Sequence, residues 1–160
     1  MTYIKHKFSL FQTQDNPTAQ TWSGVNVDYQ VITGSTCEII PKFSNPTIIY
    51  KFNFYLRDNG ERPRLNLKLQ KSNDNFSSNI VDMSGYKLTL AGETLQSNDY
   101  HRGTFSIFFV IENFDSKYLR LVGRPYNSAF NGMKLHRSSD WENSNSADVY
   151  YNPTLMVIEV

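Results

Sequence analysis

The most regular pattern of apolar and polar positions lies in residues 39–56. From Thr47 onward, Ile48, Tyr50, Phe52, Phe54 and Leu56 fall on one side of a two-residue period, and Thr47, Ile49, Lys51, Asn53 and Tyr55 on the other. A wholly apolar or aromatic row opposite a mixed one predicts a long β-strand. Its first face has to be buried, and its second suits cover by another subunit. Residues 104–111 repeat the pattern, with Phe105, Ile107, Phe109 and Ile111 against Thr104, Ser106, Phe108 and Val110. Both faces of that strand need cover.

Shorter alternations predict strands at residues 3–11, at 25–31 (Val25, Val27, Tyr29, Val31), at 37–40, at 65–69 (Leu65, Leu67, Leu69), at 86–90, at 119–122 and at 154–160. Turn signals separate them: Pro17 within a polar run, Gly34-Ser35, Pro41, Asp58-Asn59-Gly60 and Gly85. Chain order predicts that neighbours pair. Residues 37–40 then form a hairpin with the central strand, and residues 65–69 become its antiparallel partner in a meander that continues through 86–90. About eight or nine strands of ordinary length, without a repeat or a sustained helical period, define an all-β protein. The expected architecture is an antiparallel β-sandwich, jelly-roll-like, whose two sheets bury the inward aromatic rows.

At 160 residues the chain fits a single domain over 1–160, with 1–21 read as a docking strand and loop. Ten Tyr and eleven Phe strengthen the β assignment. Sixteen basic residues against fifteen acidic ones give a net charge of +1, which leaves no electrostatic footprint for a polyanion, so nucleic acid is not an expected partner. The single cysteine, Cys37, has no partner for an internal disulfide and reads as a small buried apolar residue. Residues 1–7 lack a long apolar run, so neither a secretory signal nor a membrane span is expected and synthesis is placed in a cytoplasm. The sequon Asn75-Phe76-Ser77 carries little weight without a secretory route.

Chemistry-bearing motifs are sparse. His6, His101 and His136 are far apart and none has metal-ligand spacing, so each is read as a surface or hydrogen-bonding residue. Asp58-Asn59-Gly60-Glu61 begins like a calcium loop but fails the twelve-residue pattern, and a turn fits it better. Asp99, Glu112, Asp115, Asp140 and Glu142 are carboxylates of the kind glycan cleavage uses, yet any domain of this size supplies as many. With no nucleophile elbow, phosphate loop or Cys-His pair, no catalytic residue, metal or cofactor is assigned. The segment 123–152 is rich in Ser, Asn, Asp and Gly and carries Arg124, Tyr126, Trp141 and Tyr150, the residue types of binding surfaces. These four are candidates for ligand binding, and a carbohydrate-binding module would use Trp141, Tyr126 and Tyr150 as stacking platforms. The competing reading is that they pin down a long loop or fill a subunit interface.

One arrangement resembles a known family. Trp22 and Gly24, the strand 25–31, Ile40-Pro41, Phe43-Ser44-Asn45-Pro46 and Ile48-Ile49 are similar in order to the globular head domains of phage virion fibres, especially those of phages of marine cyanobacteria. The close Thr154-Leu155-Met156-Val157-Ile158-Glu159-Val160 resembles the apolar-Glu-apolar ending of such heads. The resemblance implies a homotrimeric jelly roll on a virus particle, without catalysis, with other virion proteins and a host-surface glycan as partners. A three-fold interface of that kind would bury Ile49, Tyr55, Phe108 and Val110. Such fibres carry a shaft or anchor before the head, whereas the first strand here begins almost at Met1. That places a capsid decoration protein beside a short-fibre head as the expected role.

Overall fold

In the computed structural model, which describes residues 7–13, 20–23, 28–57, 64–91, 102–125, 131–138 and 149–160, the regular elements are all strands. In chain order these are β1 (Lys7–Thr13), β2 (Gln20–Ser23), β3 (Gln30–Val31), β4 (Cys37–Glu38), β5 (Ile48–Arg57), β6 (Arg64–Ser72) and β7 (Val81–Ala91). They continue as β8 (Arg102–Ile111), β9 (Tyr118–Pro125), β10 (Asn131–Leu135), β11 (Arg137–Ser138), β12 (Val149–Tyr150) and β13 (Thr154–Glu159).

The expected central strand is β5. Along one edge it pairs with β8 over its whole length, from Ile48↔Ile111 to Arg57↔Arg102. Its other edge is shared, with β13 covering Ile48 to Asn53 and β10 covering Leu56 and Arg57. β1 extends the sheet beyond β13, and β2 beyond β10. In the second sheet β9 pairs with β6 on one edge and with β3 and β4 on the other, and β7 lies outside β6. β11 and β12 form a separate two-stranded ribbon, and every pairing is antiparallel. The orders β1-β13-β5-β8 and β4-β9-β6-β7 are those of a jelly roll, in which the chain keeps crossing between two packed antiparallel sheets.

That crossing corrects two expected pairings. Residues 37–40 do not form a hairpin with β5, because β4 pairs with β9 through Cys37↔Leu119 and Glu38↔Tyr118. Residues 65–69 are not the partner of β5 either, because β6 bonds to β7 and β9. The reason lies in the faces. Ile48, Tyr50, Phe52 and Phe54 on β5 are buried, as are Leu65, Leu67 and Leu69 on β6. Two such rows remove more apolar surface from water when stacked across a core than when set side by side. β8, with ten residues in unbroken register, takes the edge instead. β7 also begins earlier than Tyr86. Its register against β6 jumps from Lys68↔Lys87 to Gln70↔Asp82, a bulge that contains Gly85 at φ 83°, a conformation glycine adopts without a steric penalty.

The interior is a chain of rings. Phe52 and Phe54 stack at 5.7 Å between centroids, Phe54 and Phe105 at 5.9 Å, and Tyr86 of the second sheet meets Phe109 of the first edge-on at 5.8 Å. One polar thread crosses this core. The buried Tyr50 hydroxyl donates to the Ser35 carbonyl at 2.5 Å, and the Ser35 hydroxyl donates to the Leu121 carbonyl at 3.1 Å while accepting the Leu121 N–H at 3.2 Å. Buried polar atoms are thereby satisfied where they tie β5 to β9.

The end of the sandwich where β5 begins and β13 finishes is fixed by a carboxylate. Glu159 follows Leu155 and Val157 on the inward face of β13 and is only 1% exposed. Its Oε1 accepts the backbone N–H groups of Lys42 and Phe43 at 2.7 and 2.8 Å, which holds the 40–46 loop against the strand ends. A buried charge is tolerated when it is hydrogen-bonded in this way. Replacing Glu159 with Leu removes the acceptor and orphans both donors. Urea denaturation is expected to show a loss of about 2–4 kcal/mol in unfolding free energy, about half as much for Glu159→Gln, which keeps an acceptor oxygen.

Candidate functional site

The outward face of the first sheet carries the feature that stands out from an ordinary surface. On β8, Phe108 is 58% exposed and Val110 is 44% exposed, two residues apart and on the same side. The register sets Ile49 opposite Val110 and Lys51 opposite Phe108, and on the next strand Ile158 opposite Ile49 and Met156 opposite Lys51. Ile49, Ile158 and Met156 are half-buried. An apolar stripe therefore crosses β8, β5 and β13, interrupted by the Lys51 side chain. Singly scattered exposed apolar residues are ordinary, whereas neighbouring ones on one sheet face set this face apart.

Tyr55 does not belong to that stripe. Although it alternates with Ile49, it is 6% exposed, and its ring stacks on Tyr151 at 3.9 Å between centroids with 8° between planes. Its expected place on an open interface is corrected: the chain covers Tyr55 with its own residue. The local backbone explains why. Tyr151 donates its N–H to the carbonyl of His136, and His136 donates its own to the carbonyl of Tyr55, so the segment after β10 is strapped across the end of β5.

The outward face of the second sheet is different in kind. Lys68 Nζ lies 4.1 Å from the centroid of the Tyr29 ring and also bonds Asp82 at 2.5 Å, and the Arg124 guanidinium lies 4.9 Å from the same ring. Gln70 donates to Asp82 at 2.7 Å and accepts from Arg120 Nε at 2.8 Å. Partial burial works against the charge of Asp82, but the hydrogen bonds from Lys68 and Gln70 outweigh it and hold the carboxyl below its usual range. The Arg120 guanidinium covers the Phe76 ring at 4.1 Å. Phe76 sits in a loop built on Asp74, whose carboxylate accepts from Ser72, Ser78 and Asn79; these bonds, that from Ser78 foremost, hold it well below the usual carboxylate range. On this surface charged side chains and rings contact one another.

Of the four ligand-binding candidates, Arg124 is half-buried on that surface. Tyr150 lies on β12, paired with Arg137 of β11. Tyr126 and Trp141 lie outside the described residues, as do His6, His101, Asp99, Asp140, Glu142 and the Asp58-Asn59-Gly60 turn. The described part therefore does not bring the four candidates together. Glu112 and Asp115 are exposed, and hydrogen bonding from Lys71 holds Asp115 below its usual range. Among the described residues no group of three or more His, Cys, Asp or Glu is placed to hold a metal ion, and no helix is long and apolar enough to cross a membrane.

His136 departs from the expected surface or hydrogen-bonding role. It is fully buried at φ 62°, its ring edge-on to Phe54 at 6.5 Å, and neither ring nitrogen makes a well-formed hydrogen bond with a described group. Burial pushes its pKa down to about 4, against a smaller opposing effect of the Thr33 backbone. Cys37 is buried as expected, and burial pushes its thiol up to about 12, against a smaller opposing hydrogen bond with the Leu119 backbone. Reaction with a disulfide reagent needs the exposed thiolate. In native protein at pH 8 Cys37 is expected to label at least a hundredfold more slowly than in urea, as read by thiolate release at 412 nm. Labelling at the denatured rate would show that the strand opens freely.

No protein-family model matches the sequence, and no curated protein matches it significantly.

Proposed function

We propose that this chain is a structural virion protein of a tailed phage, a capsid decoration or short-fibre head that works by self-association and surface attachment, without catalysis. The observation that carries the self-association is the stripe of Phe108, Val110 and Ile49, continued by Ile158 and Met156, on the outward face of the first sheet. A stripe of this kind is the centre of a subunit interface: apolar, flat, and bordered by Thr104, Ser106 and Asn53 as a polar rim. The three-fold number and the place on a virus particle rest on the resemblance to fibre heads. Tyr55, covered within the chain, is left out of the interface.

Sedimentation equilibrium of the purified chain is expected to give the mass of three copies. Phe108→Glu and Val110→Glu, each placing an unpaired charge in the interface, are expected to weaken assembly by at least about thirtyfold, equivalent to about 2 kcal/mol. Circular dichroism is expected to stay unchanged. A wild-type protein that sediments as one chain at high concentration would remove the self-association. A glycan array bound by the wild type and lost with Trp141→Ala would move the assignment to a carbohydrate-binding module.

A further inference from the structure

His136 combines three unfavourable conditions in one residue. Its backbone holds a positive φ, its imidazole is fully buried, and its ring meets the Thr33 backbone without making a well-formed hydrogen bond. Such conditions persist only where the surroundings over-determine them. Here the surroundings are two backbone hydrogen bonds that meet at this residue, to the Tyr55 carbonyl at 2.9 Å and from the Tyr151 N–H at 3.0 Å, together with the Tyr55–Tyr151 ring stack. His136 is thus the joint by which the chain after β10 is fastened to the end of β5.

Among the described residues of the elements around it, no carboxylate is placed to pair with a proton on that ring. The described residues of β5, β10, β11, β12, the turn at Thr33 and Tyr151 include no Asp or Glu. By position in the chain, the cationic residues nearest this joint are Arg57, Lys134 and Arg137, and the phenols are those of Tyr55, Tyr150 and Tyr151. A buried imidazolium without a carboxylate partner among the described residues is costly, and moving it into water relieves that cost.

We propose that His136 is an acid-released latch: protonation of its buried ring detaches β10 and the strand residues around Tyr151 from the end of β5, uncovering Tyr55, while the two sheets stay folded. The direction follows from linkage. The folded pKa, about 4, lies below the ordinary 6.5, so the closed state binds fewer protons than the open one. The stabilisation is therefore complete above pH 6.5 and is lost as the pH falls from 6.5 towards 4. This inference does not depend on the virion assignment.

Hydrogen exchange followed by mass spectrometry tests it, with protection corrected for the intrinsic exchange rate at each pH. Between pH 7 and pH 4.5, peptides covering residues 131–138 and 149–153 are expected to lose protection roughly fiftyfold, the factor that a fall from 6.5 to about 4 gives over that interval, while peptides from β6 keep theirs. In His136→Phe, and in His136→Asn, which tolerates the positive φ and does not titrate, that pH dependence is expected to vanish. Either folded variant suffices for the comparison. The latch is overturned by unchanged protection in the wild type, by an equal loss in β6, or by a folded variant that loses protection in parallel with the wild type.

Discussion

The fold depends on keeping one row of side chains dry: Ile48, Tyr50, Phe52, Phe54 and Leu56 on β5. A strand that buries this row along its full length needs partners on both edges and a lid over the face. β8 fills one edge in unbroken register. No single strand fills the other, so β13 and β10 divide it, and the chain has to return to β5 from two places far apart in sequence. The lid is the second sheet, whose Leu65, Leu67, Leu69, Leu119 and Leu121 face the same interior. The jelly-roll crossings are the connections that let strands neighbouring in the chain occupy opposite layers.

With the inner faces committed, the two outer faces diverge. On the second sheet several long polar side chains find a neighbour: Lys68 with Asp82 and Tyr29, Arg120 with Gln70 and Phe76, Asn66 with Thr89. A surface whose groups already satisfy one another gains little from a partner, because association would have to break those contacts first. On the first sheet Phe108, Val110 and Ile49 have no polar contact to lose, and covering them gains the full transfer free energy of their exposed area. The difference between the faces, more than the mere presence of apolar residues outside, is what makes the β5–β8 side the one where association would gain most.

Alternation along the chain told which side of a strand is wet, and it told little about which strand lies beside which. The inward rows of β5, β8, β6 and β13 were legible because a two-residue period depends on neighbours in sequence alone. Pairing is a long-range property, and so β4 and β6 were assigned to β5 when both belong to the other sheet. Tyr55 was legible as an outward residue, but its cover by Tyr151, 96 positions later, was not. Glu159 shared a period with Leu155 and Val157, a signal that its carboxylate turns inward, yet only the fold reveals the two N–H groups it meets. His136 had no local signal at all: between Leu135 and Arg137 its burial follows from where β10 ends on β5.

These two buried ionisable residues divide the molecule. Glu159 sits at the end where β5 begins, and two backbone donors bond its carboxyl oxygen in place. His136 sits beside Tyr55 at the opposite end of β5 and is accommodated only while uncharged. Ile49, at the centre of the apolar stripe, is six residues from Tyr55, about 20 Å along an extended strand. Loosening at His136 therefore acts on the part of β5 held by the two-residue pairing with β10, and leaves the part bonded to β13 and β8, which carries the stripe, as it was. The same division of one strand edge between two short partners that completes the core also lets one end of the sandwich give way without the other.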